Sequence, residues 1–229
     1  MTRHFLLLDA NVLAASYAPM TTRSSSLRER SGKLMKLAEQ NDVQLLVANF
    51  CIAEVFSVFE KYRWGSGWNP HLKKLKTKLT PTEFDQSRLD FRNAIHNGAK
   101  VVQVELNRYH VLCMDLVSTI NHAYRIRRDY KKKQYIVPAN TYDMLLMAMA
   151  IWLRHVHGGE NFTLVTGDDR ICAVVGRAKS IKLNKDIQSH LSTIATSLGL
   201  TYSPDLYPDV LNLKSCTQTA LRSRFSWWS

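Results

Sequence analysis

Four acidic residues of the chain stand within or directly beside apolar sequence, where a lone carboxylate is costly to desolvate. These residues are Asp9, Glu54, Asp143 and Asp168. Four carboxylates in this setting suggest that they share one buried positive charge, most simply a divalent metal ion. The set contains no closely spaced cysteines or histidines, so its oxygen ligands favour Mg²⁺ or Mn²⁺ over Zn²⁺.

Alternating strand and helix patterns predict how these acids are positioned. Apolar runs predict strands at Phe5–Leu8, Val43–Ala48, Val101–Glu105 and Phe162–Val165, with a weaker strand near Leu200–Tyr202. Helical spacing or capping signals predict helices at Ser31–Gln40, Cys51–Tyr62, Pro81–Asn97 and Tyr109–Arg128. Another helix is expected to open at 138–141 and to end at Gly158 and Gly159, and a further one begins at Ile171. The first strand is expected to lead into a loop that extends through Ser26. The alternation predicts an α/β protein with a mainly parallel sheet.

The predicted fold brings the four acids to one edge of the sheet. Ligands of such sheets bind beyond the carboxyl ends of the strands, where Asp9 and Asp168 fall. Glu54 lies about one turn into the helix after the second strand, and its side chain can face the same edge. Asp143 lies in the first turn of its helix, where the helix dipole favours an anion.

Positive charge is concentrated in one part of the chain. The sequence has 31 Lys and Arg against 19 Asp and Glu, and 16 of the basic but only 6 of the acidic residues lie between Lys61 and Tyr135. Aromatic residues are interleaved with these charges, a pattern that suits RNA or single-stranded DNA, although a solvated basic face is the alternative. The basic residues expected to bind nucleic acid are Lys73, Lys74, Arg127, Arg128, Lys131, Lys132 and Lys133. We interpret positions 61–135 as a basic helical insertion in a single domain spanning 1–229.

Composition also bounds the environment of the protein. No apolar run approaches the roughly 20 residues that cross a bilayer, and no signal peptide is predicted. The four cysteines are far apart and most lie in apolar contexts, which favours reduced thiols in a cytoplasmic protein.

Four segments of the chain resemble motifs of the PIN-domain nucleases, a family that includes toxins of bacterial toxin–antitoxin pairs. Asp9–Leu13 resembles the D-x-N-x-L motif, Ile52–Val55 the second acidic motif, Asp143 the third acid, and Thr166–Asp168 the T-x-D motif. The resemblance implies a three-layer α/β/α fold, in which helices flank a central, mainly parallel sheet. It also implies metal-dependent cleavage of a phosphodiester, with RNA favoured over DNA. It also implies an antitoxin protein as a partner.

Each acid has an expected role under this interpretation. Metal neutralises charge on the attacked phosphate and lowers the pKa of bound water. Asp9 is expected to be the central ligand, with Asp143 and Asp168 beside it, while Glu54 binds metal or orients the attacking water. Three further residues are expected to support the ligands or contact substrate: Asn11, Thr166 and Asp169, the last being an alternative to its neighbour Asp168.

Two other functions fit parts of the pattern. A phosphatase of the haloacid-dehalogenase type would use Asp9 as nucleophile, but Asn11 stands where that class needs a second acid. A PIN-like RNA-binding module without catalysis would usually have lost some of the acids. Trp227 and Trp228 suggest either an oligomer contact, such as a homodimer, or an unstructured tail.

Overall fold

The structure is a computed structural model that describes residues 3–18, 25–41, 43–64, 79–97, 101–126, 139–180, 185–225 and 227–228. The seven basic residues predicted to bind nucleic acid lie outside these ranges, and their role stays a prediction.

A five-stranded parallel sheet organises the fold. Its strands are β1 (His4–Leu8), β2 (Val43–Ala48), β3 (Val101–Val104), β4 (Phe162–Thr166) and β5 (Asp209–Asn212). They are ordered β3-β2-β1-β4-β5, so β1 lies in the middle. Leu6, Leu7 and Leu8 of β1 are fully buried, which explains the unbroken apolar run before Asp9. The predicted α/β class with a parallel central sheet is confirmed.

Helices flank the sheet. They are α1 (Ala10–Tyr17), α2 (Ser25–Gln40), α3 (Asn49–Trp64), α4 (Pro81–Asn97), α5 (Arg108–Leu112), α6 (Met114–Ile126), α7 (Thr141–His157), α8 (Asp169–Ser180), α9 (Lys185–Ser197) and α10 (Gln218–Arg224). The predicted capping box of α4 is present, since Thr80 N–H donates to the Glu83 carboxylate at 2.8 Å and Glu83 N–H donates to the Thr80 hydroxyl at 3.2 Å. Among the described helices, none is both long enough and apolar enough to cross a membrane.

Three sequence-based predictions of local structure are wrong. Helix α1 replaces the first part of the loop expected after β1, because the alanine-rich segment after Asp9 favours a helix. The helix expected over Tyr109–Arg128 is divided at Cys113 into α5 and α6. No strand forms at Leu200–Tyr202 within the described chain. Leu200 N–H instead donates to Ala195 O at the end of α9, after Gly199 at a φ of 72°.

The contacts divide the chain into two compact units. The first unit comprises Met1–Glu105, Val165–Gly167 and Leu211–Ser229, and the second comprises Leu106–Leu164 and Asp168–Val210. In the first unit, Phe91 makes edge-to-face contacts with Phe56 and Phe59, and Trp228 is buried. Trp228 is therefore part of a core and does not belong to an unstructured tail.

The second unit has its own core and its own polar contacts. Buried side chains of α6, α7, α8 and α9 form its apolar interior, together with Tyr207, whose hydroxyl donates to Leu116 O at 3.3 Å. Asn140 caps α7, and its side chain accepts from Asp143 N–H at 2.8 Å. The single domain with an insertion at 61–135 stays a prediction, although that segment contributes the edge strand β3.

Candidate metal centre

Asp9 marks the junction where β1 ends and α1 begins. Its extended backbone (φ −73°, ψ 150°) continues the sheet, and its N–H donates to Val165 O of β4 at 2.9 Å. Its carbonyl oxygen accepts from Val12 N–H and Leu13 N–H in the first turn of α1. Asp9 thus occupies the N-cap position, but its side chain makes no capping hydrogen bond to the helix. The carboxylate is buried, with 6% of the residue exposed, and is used for something other than starting the helix.

Two neighbouring side chains hold the Asp9 carboxylate. The buried Thr166 hydroxyl donates to Asp9 Oδ2 at 2.5 Å, and Asn11 Nδ2 donates to the same oxygen at 2.6 Å. Asn11 is itself fixed, because its Oδ1 accepts from Gly167 N–H at 2.8 Å. These bonds offset part of the desolvation cost of a buried charge and fix its orientation, as outer groups do for metal-binding carboxylates.

Helix α3 brings two potential ligands close to Asp9. Cys51 and Glu54 are three residues apart and so lie on the same side of the helix. One potential ligand atom from each of these residues and from Asp9 lies within 4.8 Å of the others. Ligands that share an ion at about 2.1 Å lie at most about 4.2 Å apart, so the set needs only a small adjustment to bind one. Glu54 is exposed, which leaves this side of the set accessible to solvent.

The donor set of the first unit fits a hard metal ion through its oxygens. Carboxylates of Asp9 and Glu54 suit Mg²⁺ or Mn²⁺, whereas the thiol of Cys51 is a soft ligand that suits Zn²⁺ better. For the predicted ions, therefore, the two carboxylates are the useful ligands and Cys51 is a packing residue of α3. The apolar sequence around Cys51 predicts a buried thiol, and its three-residue spacing from Glu54 was the available signal for a position beside the acids.

In the second unit, Asp143 has a structural role in addition to any chemical one. Its Oδ2 accepts from Asn140 N–H at 3.0 Å, which completes the capping box of α7. Burial raises the pKa of the Asp143 carboxyl above its usual value, and the Asp168 carboxylate raises this pKa further. The Asn140 amide and the Arg170 guanidinium lower the same pKa and offset part of the increase.

Asp168 and Asp143 meet at one arginine. Arg170 Nη2 lies 3.2 Å from Asp143 Oδ2, and the same guanidinium binds both oxygens of Asp168. Arg170 N–H also donates to Asp168 Oδ1 at 2.7 Å, at the start of α8. Arg170 therefore joins the two acids, although it is not among the residues that the sequence predicts for the site. Its position two residues after Asp168 was the only signal.

The structure thus gathers the predicted residues within each unit. Asp9, Asn11, Glu54 and Thr166 are together in the first unit, and Asp143 and Asp168 are together in the second. Asp169 is exposed at the first position of α8, whereas Asp168 is partly buried.

No family model matches the chain, and no curated protein shows significant similarity to it.

Proposed function

We propose that the protein is a PIN-type endoribonuclease that depends on Mg²⁺ or Mn²⁺. The observation that carries the proposal is the Asp9 carboxylate, which is buried at the end of the central strand, oriented by Thr166 and Asn11, and not used to cap α1. A buried charge with two dedicated donors and a second carboxylate nearby is a common arrangement of a metal ligand.

Each residue of the proposed site then has a defined role. Asp9 and Glu54 would hold the ion, which when bound neutralises the phosphate and lowers the pKa of water. Thr166 and Asn11 fix the rotamer of Asp9, so that the carboxylate requires little reorganisation. Glu54, being exposed, is also placed to orient an attacking water or accept its proton. Asp143 and Asp168 keep the ligand roles that the sequence predicts.

Several parts of the proposal rest on the sequence alone. RNA is the proposed substrate because the segment 61–135 is basic and rich in aromatic residues. An antitoxin partner follows from the resemblance to toxin nucleases, and a cytoplasmic location follows from the cysteine pattern.

A second function, RNA binding without catalysis, is favoured by one specific contact. Arg170 offsets part of the negative charge of Asp143 and Asp168, so the two acids have a cationic partner within the protein itself. If this function is the correct one, RNA binds and no cleavage follows under any metal condition.

Cleavage of end-labelled RNA with Mg²⁺, with Mn²⁺ and with chelator tests the proposal. We expect internal cuts with either metal and none with chelator. Asp9→Asn should abolish cleavage while RNA binding, measured by fluorescence anisotropy, stays within about twofold. Asp85→Asn is the matched control, since it removes the same charge from the exposed face of α4. Metal-independent cleavage, or full activity of Asp9→Asn, would refute the proposal, and RNA binding without cleavage would select the second function.

A further inference from the structure

Arg170 contacts both predicted metal ligands of the second unit. Its backbone N–H and its guanidinium both bind Asp168, and its Nη2 also reaches Asp143 at 3.2 Å. The three side chains are only partly exposed, at 36% for Arg170, 13% for Asp143 and 20% for Asp168. Charge-assisted bonds at this exposure are stronger than those of a fully solvated pair.

The position of Arg170 restricts how the two acids can bind a metal ion. Asp168 offers both of its oxygens to the guanidinium, and Asp143 offers the oxygen that also accepts from Asn140 N–H. A divalent ion bound by the same oxygens would lie within a few ångströms of a fixed positive charge. Two cations at such a distance repel each other, so the ion and the guanidinium compete for these carboxylates.

We infer that Arg170 is a built-in counter-ion that occupies Asp143 and Asp168 until a metal ion displaces it. Arg170 thereby sets the affinity of these two carboxylates for the metal ion. The inference rests on the proposed metal-dependent function. With the guanidinium in place, its positive charge offsets part of the negative charge of the two carboxylates. When metal binds, the guanidinium leaves the carboxylates, and its rigid fork of N–H donors becomes available to a phosphate group.

Mn²⁺ titration by isothermal calorimetry of the whole protein tests the competition directly. Arg170→Gln removes the competing charge, and we expect Mn²⁺ to bind about three- to tenfold more tightly, as expected for the loss of two partly exposed ion pairs. Arg170→Lys retains the charge but cannot bind both acids as a fork, so its affinity should fall between those of the wild type and Arg170→Gln. Arg177→Gln is the matched control, because it removes the same charge from the same helix, and its affinity should equal that of the wild type.

A double variant excludes a merely structural effect. If Arg170 acts through Asp168, Arg170→Gln should raise the Mn²⁺ affinity less in a protein that already carries Asp168→Asn than in the wild type. Thermal melting in chelator, run on each variant, checks that the protein is folded before titration.

The outcomes separate this inference from the proposed function. Equal Mn²⁺ affinity in the wild type and Arg170→Gln overturns the inference and leaves the metal-dependent function standing. An equal gain in Arg177→Gln also overturns it, since the effect would then be one of net charge. Absence of Mn²⁺ binding in the wild type and in every folded variant overturns both.

Discussion

The hydroxyl of Thr166, at the end of β4, donates to the carboxylate of Asp9, at the end of β1, although 157 positions separate the two residues. Parallel neighbouring strands make this contact possible, because their carboxyl ends meet at the same edge of the sheet. The bond is buried, and water cannot replace it. Losing this bond therefore costs the Asp9 carboxylate more than it would cost a solvated carboxylate.

Thr166→Val should show this dependence. The substitution keeps the shape but removes the donor, so the free energy of unfolding should fall by about 1–3 kcal/mol. Mn²⁺ affinity should fall about 10- to 100-fold, as for the loss of other groups that orient a ligand. Urea unfolding and calorimetry measure the two effects. Thr166→Ser, which keeps the hydroxyl, is the control, and equal metal affinity in the Val and Ser variants would contradict the assigned role.

Asp143→Asn should stabilise the metal-free protein near neutral pH. Burial raises the pKa of this carboxyl in the folded state, so its ionised form opposes folding. The penalty is absent well below pH 3.8, where the carboxyl is protonated in both states. It grows as pH rises from there to the folded-state pKa and is complete above that pKa. The gain from Asp143→Asn should therefore be present at pH 7 and vanish in acid.

Thermal melts in chelator from pH 3 to pH 8 measure this gain. Asp115→Asn serves as the control, since Asp115 is an exposed acid in the first turn of α6 and its loss should destabilise slightly through the helix dipole. Mn²⁺ at a hundredfold excess over its dissociation constant should stabilise the wild type by about 2.7 kcal/mol. A destabilised Asp143→Asn at pH 7 would mean that the contact of Asp143 with Arg170 outweighs its burial.

Gly167→Ala should destabilise the first unit. A Cβ atom at this position would lie 2.8 Å from Leu27 Cδ2 and 3.2 Å from Asn11 Oδ1, the oxygen that accepts from Gly167 N–H. We expect a loss of about 1–3 kcal/mol, because both neighbours are held in place. Gly32→Ala is the matched control within α2, where a Cβ meets no atom within 4 Å, and it should instead stabilise by about 0.5–1 kcal/mol. If Gly167→Ala and Gly32→Ala change the free energy of unfolding in the same direction, the close packing at Gly167 is contradicted.

Replacing Lys131, Lys132 and Lys133 by alanine should weaken RNA binding for all sequences alike. Each lost phosphate contact lowers the slope of log affinity against log salt by about one. Anisotropy titrations at salt concentrations from about 50 to about 200 mM, a roughly fourfold range, give this slope. A control variant with alanine at Lys36, Lys185 and Lys214, which lie outside the basic segment, should keep the slope. An unchanged salt slope in the variant with alanine at 131–133 would mean that these lysines are solvated and do not contact phosphate.

The strand-and-motif pattern predicted the part of the site that depends on strand ends. Asp9 and Thr166 follow apolar runs, and parallel pairing brings such positions together without further information. Arg170 could not be predicted, because its contact with Asp143 depends on how α7 and α8 pack within the second unit. A lone arginine after an acid is common on helix surfaces and has no distinctive pattern.

The last strand shows a similar limit. β5 carries one buried apolar residue, Leu211, in a four-residue segment, and its Asp209 pairs with Lys179. The sequence of such a segment does not predict a strand, because the strand forms only through pairing at the edge of the sheet. The apolar residues near Leu200 were a stronger local signal, but they complete the end of α9.

The first unit is assembled from three separated segments of the chain, and this has a consequence during protein synthesis. Leu213 N–H donates to Thr166 O at 2.8 Å, and Arg30 donates to Leu213 O at 2.9 Å, so residues after β5 support the residue that orients Asp9. At about 5–20 residues per second, a ribosome reaches Leu211 roughly 5–20 s after Glu105. Until then the nascent chain carries Asp9 and Glu54 without their complete framework. If the protein is the proposed endoribonuclease, its competence to cleave RNA arises late in translation, and attack by the nascent chain on its own message is delayed.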